Sequence, residues 1–141
     1  MFRWKLISYI LPNNENLFKW KIFTSPHCAI CKTNDNYQHF FIDCEILSEF
    51  WETVNAKLKL LHFTNKINLK DIVFGYKICD KDYDGFNTII TLIAFSIYKS
   101  FYLSDQRKKS VNTYEIFKKE LRDYNHLSKN NKFITNIIKK L

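Results

Sequence analysis

Four side chains able to bind a soft metal lie close together in this chain: Cys28, Cys31, His39 and Cys44, in the spacing C-x2-C-x7-H-x4-C. Two cysteines separated by two residues can grip one ion from a tight turn. A histidine and a cysteine a little further on can close a tetrahedron around it. Three thiolates and one imidazole form a structural zinc set with no position left for water or substrate. Soft sulfur and nitrogen donors favour zinc over calcium or magnesium. A disulfide or a C-x2-C redox pair is the competing chemistry. Neither calls for a histidine and a third cysteine downstream at this spacing. His27 is the rival nitrogen ligand, but adjacent residues rarely point at one ion together, so it reads as a surface histidine.

The neighbouring residues suggest how the ligands are positioned. Asn34, Asp35 and Asn36 supply a turn or a helix cap. With Asn36 as the cap, His39 falls in the first turn of a short helix and Cys44 just past its end, both facing the Cys28–Cys31 turn. A helix over 45–62 follows, with Leu47, Phe50, Trp51, Val54, Leu58 and Leu61 at three- and four-residue steps. Glu45 suits the positive end of its dipole. Trp51 is then expected to pack one turn beyond the ligands and tie them to the helical body.

The run Cys28-x2-Cys31, then His39-Phe40-Phe41-x-Asp43-Cys44, then Phe50-Trp51, resembles the zinc-binding domain at the C-terminal end of non-LTR (LINE-type) retrotransposon reverse transcriptases. That family shows a C-x2-C, a variable spacer, an H-x-F/L-x-x-C segment and a tryptophan about seven residues later. Trp4-Lys5 with Tyr9-Ile10-Leu11-Pro12, and Leu17-Phe18-Lys19-Trp20-Lys21-Ile22, look like the family's lead into the first cysteine. Ile72-Val73-Phe74-Gly75 and the apolar run from Asn87 to Tyr102 look like the region that follows. The resemblance implies a non-catalytic zinc-binding module, acting on RNA or DNA beside an associated reverse transcriptase.

The chain has 141 residues and a formal charge of +8. Three thiolates and one divalent ion, −3 and +2, would bring that to about +7. Such a balance suits a polyanion partner, although lysine-rich composition alone also produces it. The basic residues with a candidate nucleic-acid role are Lys19, Lys21, Arg107, Lys108, Lys109, Lys118, Lys119 and Arg122. Lys19 and Lys21 flank Trp20, and interleaved basic and aromatic residues can grip a single strand by stacking and phosphate contact. The commoner role for Leu17, Phe18 and Trp20 is packing under the metal site. Arg107, Lys108 and Lys109 are expected to be exposed in a polar link, with little preference among nucleic-acid sequences.

The rest of the chain reads as helices in a mainly α fold: a small helical domain stapled by one CCHC zinc site, with five to seven helices. One domain is expected over 1–141, with a zinc-binding part at 1–62 and a helical part at 63–141. Only two glycines and two prolines leave little for the tight turns of an all-β fold. Helices are predicted over 2–11; from an Asn13 or Asn14 cap to Trp20; over 69–74, between Asn68 and a stop at Gly75; over 86–103; from an Asn112 or Ser110 cap through Tyr124; and over 131–141. Residues 76–85 read as a loop carrying a free Cys79. Asp80, Asp82 and Asp84 there lack the closing glutamate of a calcium loop. The run over 86–103 approaches the roughly 20 residues of a membrane span. Asn87, Thr88, Thr91, Ser96, Lys99 and Ser100 interrupt it, which favours a buried central helix and no membrane partner.

Several chemistries lack their motifs. No P-loop, dinucleotide fingerprint or H-E-x-x-H is present, nor the Tyr/Phe-x-Asp-Asp pair of a polymerase. His62 and His126 have no nucleophile beside them in sequence. Cysteines without a secretion signal argue for a reducing, intracellular compartment, cytoplasm or nucleus. Two functions remain: a nucleic-acid-binding zinc module, or a zinc-stapled structural or protein-interaction module, a transposon relic with no nucleic-acid activity. Clustering of the basic residues would favour the first and even scatter the second.

Overall fold

A computed structural model describes residues 2–61, 63, 65–75, 83–128 and 132–140. Seven α-helices make up most of it, and no strand is present among the described residues. They are α1 (Phe2–Ile7), α2 (Asn14–Lys19), α3 (Ser48–Lys59), α4 (Leu69–Phe74), α5 (Tyr83–Leu103), α6 (Thr113–Leu127) and α7 (Lys132–Lys140). A π-helical turn, His39–Asp43, and a 3-10 turn, Glu45–Leu47, lie between α2 and α3. The mainly helical fold expected from the sequence is the one observed.

The caps explain most of the boundaries. Asn13 accepts from Asn16 N at the start of α2, and Asn112 accepts from Glu115 N at the start of α6. Asn68 and Asp71 form a reciprocal capping box on α4, satisfying two otherwise orphaned amides. Gly75 ends α4 at a φ of 81°, a region open to glycine at little cost. The first helix is shorter than predicted: it ends at Ile7, and Tyr9 takes a left-handed φ of 55°. The long helix begins earlier than predicted, so 83–85 are helical rather than loop. His62, the rest of the predicted loop at 76–82 with Cys79, Asp80 and Asp82, and the Asp84 side chain lie outside the described residues.

One cluster of buried side chains runs from Leu6 to Ile137. Its centre is α5, which buries Ile89, Ile90, Ile93, Ala94, Ile97 and Phe101. Phe117 and Leu121 of α6 and Ile134 and Ile137 of α7 join the same cluster. Residues 85–103 are long and apolar enough to cross a membrane, but half of that window is buried within the fold. The helix therefore serves as the core against which α4 and α6 pack. Its buried Ser96 and Ser100 hydroxyls donate back to Leu92 O and Ile97 O, so the polar residues cost the core no unpaired donor.

Candidate metal centre

The first two candidate ligands, Cys28 and Cys31, sit in a turn built by backbone hydrogen bonds. Cys28 N donates to Thr33 O and Lys32 N to Cys28 O, while His27 and Asn34 pair as an antiparallel bridge. Lys32 closes the turn with a left-handed φ of 60°. The other two ligands flank the π turn. Asn36 Oδ1 accepts from His39 N at 2.9 Å, as the predicted cap, and Cys44 N donates back to His39 O. His39 thus opens the turn and Cys44 lies just past its end, as expected from the spacing. Trp51 is buried and donates from Nε1 to Phe41 O at 2.7 Å, joining α3 to the same turn.

Cys28, Cys31, His39 and Cys44 bring their ligand atoms within 4.8 Å of one another. Cys44 Sγ is 3.8 Å from both Cys28 Sγ and Cys31 Sγ. A zinc ion with bonds of about 2.3 Å to sulfur sets tetrahedral sulfur pairs about 3.8 Å apart. The sulfurs are therefore already at the spacing that such an ion requires. His39 Nε2 is buried with no hydrogen-bond partner, and Nδ1 lies 3.5 Å from the Thr33 hydroxyl. An ion among the sulfurs would supply that missing partner. Backbone N–H groups of Ile30 and Cys31 point at Cys28, that of Ile46 at Cys44, and that of Glu45 at Cys31 Sγ at 3.4 Å. Such donors favour thiolates. Hydrogen bonding from Cys44 draws the Cys28 thiol well below its ordinary range, and the same bond, with burial, pushes Cys44 up. No disulfide joins the described cysteines. His27 is exposed and bonded to Ser25, outside the ligand group, as its position beside Cys28 predicted.

A buried polar layer supports the centre. Asp35 is fully buried; its Oδ2 accepts from Asn14 N and its backbone carbonyl from Asn13 Nδ2. Asn14 Nδ2 reaches His27 O, and the Tyr37 hydroxyl accepts from Leu11 N. Burial pushes the Asp35 carboxyl up to about 6, opposed by the Arg107 guanidinium. Asp35 Oδ1 stands 4.0 Å from His39 Nε2 and 3.8 Å from Arg107 Nη1.

Two expectations about the surroundings need correction. Arg107 is not an exposed link residue: it is 3% accessible, donates to Phe40 O at 2.6 Å, and lies over the Phe40 ring at 4.7 Å. A buried carboxylate and a free carbonyl outweigh the solvation that a basic run suggests. Phe18 and Trp20 do not pack under the site either; they are 44% and 45% exposed. Helix α2 spends its inward face on Asn14, Asn16 and Leu17, which leaves both aromatics outside. The exposed Lys19 and Lys21 lie beside them, with Ile22 64% exposed.

The remaining basic residues divide by surroundings. Lys108 and Lys109 are exposed, and Lys108 borders a groove of about 320 Å³ shared with Ile22, Phe23, Ser25 and His27. On α6, Lys118 pairs with Glu115 at 2.6 Å and Lys119 with Asp123 at 3.0 Å, while Arg122 is exposed. Lys19 pairs more loosely with Glu15, at 3.5 Å. The structure thus gathers the four candidate metal ligands; of the basic candidates, Arg107 is interior, Lys118 and Lys119 are paired on α6, and Lys108 borders the same groove as Ile22, next in sequence to Lys21.

Residues 1–51 match the family model described as zinc-binding in reverse transcriptase. The match spans all four candidate ligands and ends on Trp51, so it covers a shorter stretch than the expected likeness. No curated protein and no solved structure matches the chain.

Proposed function

We propose that this chain is a single, non-catalytic zinc-binding domain of a retrotransposon-type reverse transcriptase, and that it holds RNA or single-stranded DNA. In this reading Cys28, Cys31, His39 and Cys44 bind one Zn2+. A closed Cys3His shell leaves no coordination site for water or substrate, so the ion acts as a staple. The domain works inside the cell, beside a polymerase.

The observation that carries the nucleic-acid reading is the exposed run Phe18-Lys19-Trp20-Lys21-Ile22 beside the groove bordered by Lys108. Aromatic faces can stack on bases of any sequence, and lysines can neutralise the phosphates between them. Lys108 and Lys109 are the substitutions of choice, because Arg107 belongs to the interior. Lys118, Lys119 and Arg122 are secondary contacts, since acidic partners on α6 already offset two of them. The test is fluorescence anisotropy with labelled RNA and single-stranded DNA at several salt concentrations. Lys108→Ala/Lys109→Ala should weaken binding to all sequences and flatten the log–log salt slope by up to about two, one for each phosphate no longer neutralised. Trp20→Ala should cost about 1–3 kcal/mol, the worth of one stacked base. A wild-type chain that binds neither polymer at low salt would leave the protein-interaction module in place of this function.

A further inference from the structure

The sequence motif places every metal ligand before residue 45, yet the polar layer behind the ligands is closed from beyond residue 100. At the end of α5, Asp105, Gln106 and Arg107 all take left-handed φ values, of 50°, 58° and 69°. Each such residue costs roughly 1–2 kcal/mol when it is not glycine. Strain of this kind persists only where the surroundings over-determine it. Here the turn is fixed by Gln106 N to Phe101 O, Lys109 N to Ser104 O, and Arg107 N to Ser104 Oγ. Its effect is to aim one guanidinium inward.

That guanidinium meets the π turn at a carbonyl made available by the metal site itself. In a π-helical ladder the carbonyl of Phe40 would accept from the amide five residues on, which is Glu45. Glu45 N instead donates to Cys31 Sγ. The Phe40 carbonyl takes Arg107 Nη2 at 2.6 Å. Arg107 Nη1 and Asp35 Oδ1 are both buried without a hydrogen-bond partner and face one another at 3.8 Å. Asp35 Oδ1 in turn faces His39 Nε2. The Phe40 and Phe101 rings cover the guanidinium, at 4.7 and 5.7 Å. Groups behind the ligands orient them and commonly change metal affinity by about 10–100-fold when removed.

We propose that Arg107, acting with Asp35, is a positioning residue for the metal centre, so that the working zinc unit extends from the matched segment to the end of α5. The inference rests on zinc being held by Cys28, Cys31, His39 and Cys44. Arg107 touches no ion; it acts through the Phe40 carbonyl and through Asp35, holding the turn that carries His39 and Cys44.

The test uses the full chain loaded with Zn2+ or with Co2+ as a spectroscopic stand-in, and compares wild type with Arg107→Met, Arg107→Lys, Asp35→Asn/Arg107→Met and, as a control at an exposed position of α3, Lys59→Met. The readouts are the rate of zinc release to a chelator and the cobalt d–d absorption band. Arg107→Met should release zinc about 10–100 times faster and alter the band. Arg107→Lys keeps the charge and a donor, so it should recover part of the retention. The double variant removes both buried charges, which favours folding, but should still release zinc fast because the Phe40 carbonyl has lost its donor. Lys59→Met should match wild type. An Arg107 that served only folding would lower the melting temperature of these variants and leave band and release rate unchanged; that result overturns the proposal. A wild-type chain that binds no metal would defeat the zinc assignment and this inference together, whereas tight wild-type binding with unchanged variants would defeat this inference alone.

Discussion

At the residue scale, the candidate ligand set follows from chemistry that the sequence carries openly. Three thiols and an imidazole at finger-like spacing are an unusual pattern without a metal, and the structure brings those four side chains together. Cys28→Ser should therefore abolish the one zinc per chain expected by native mass spectrometry; unchanged zinc content would defeat the assignment. Trp51 offers a second test. It is a buried residue of α3, and its Nε1 donates to Phe41 O in the π turn. Trp51→Phe keeps most of the apolar contact but leaves that carbonyl unpaired, at a cost of about 1–3 kcal/mol. Urea denaturation of the metal-loaded variant should show a lower midpoint, and an equal midpoint would mean the bond adds nothing. Arg107 marks the limit of reading residues singly. In the run Arg107-Lys108-Lys109 nothing local separates the first residue from its neighbours. Its burial depends on Asp35 and Phe40, partners that only the assembled fold supplies.

At the element scale, helices were legible where caps and periodicity agreed. Asn68 with Asp71, and Asn112 with Glu115, place two helix starts where the sequence puts them. The stripe Leu47, Phe50, Trp51, Val54 and Leu58 is buried as its spacing requires. Legibility failed for α2, because six residues are too few for an apolar period to choose a face. The buried face there is mostly polar: beside Leu17, Asn14 bonds His27 O and Asn16 bonds Leu11 O. The π turn was equally hidden, since it depends on the backbone bonds around His39 and on the diversion of Glu45 N to a sulfur. The left-handed turn after α5 gives a direct prediction. Gln106 holds a φ of 58° with no glycine to ease it. Gln106→Gly relieves that strain, partly offset by the added freedom of the unfolded chain, for a net gain of up to about 1 kcal/mol. Thermal unfolding of the metal-loaded chain should show a modest rise in midpoint; a fall would mean that the Gln106 side chain matters more than its backbone.

At the scale of the whole molecule, the proposed ion and the helical core would stabilise one buried cluster together. Structural zinc contributes about 10–16 kcal/mol to finger peptides that have little else to hold them. This chain also has α5, whose buried isoleucines pack with Phe117, Leu121, Ile134 and Ile137 independently of any ligand. Removing the ion should therefore loosen the molecule unevenly. The turn around Cys28–Cys31 and the π turn join the cluster through Tyr37, Phe40 and Phe41, and without an ion their sulfurs would repel one another as thiolates or need protons. Chelation should remove amide protection across 20–51, because the asparagine layer at α2 and the Trp51 bond both end on the loosened turns. It should spare the middle of α5 around Ile93, which is fully buried and distant in sequence from every ligand. The last turn of α5 should behave as the boundary, because Phe101 touches both Phe40 and the left-handed turn. Hydrogen exchange before and after chelation distinguishes this graded response from its alternatives. Protection lost uniformly would mean that the ion and the helical core fold as one cooperative unit. Protection kept throughout would mean that the helices alone hold the ligands in place and the ion adds little to the fold.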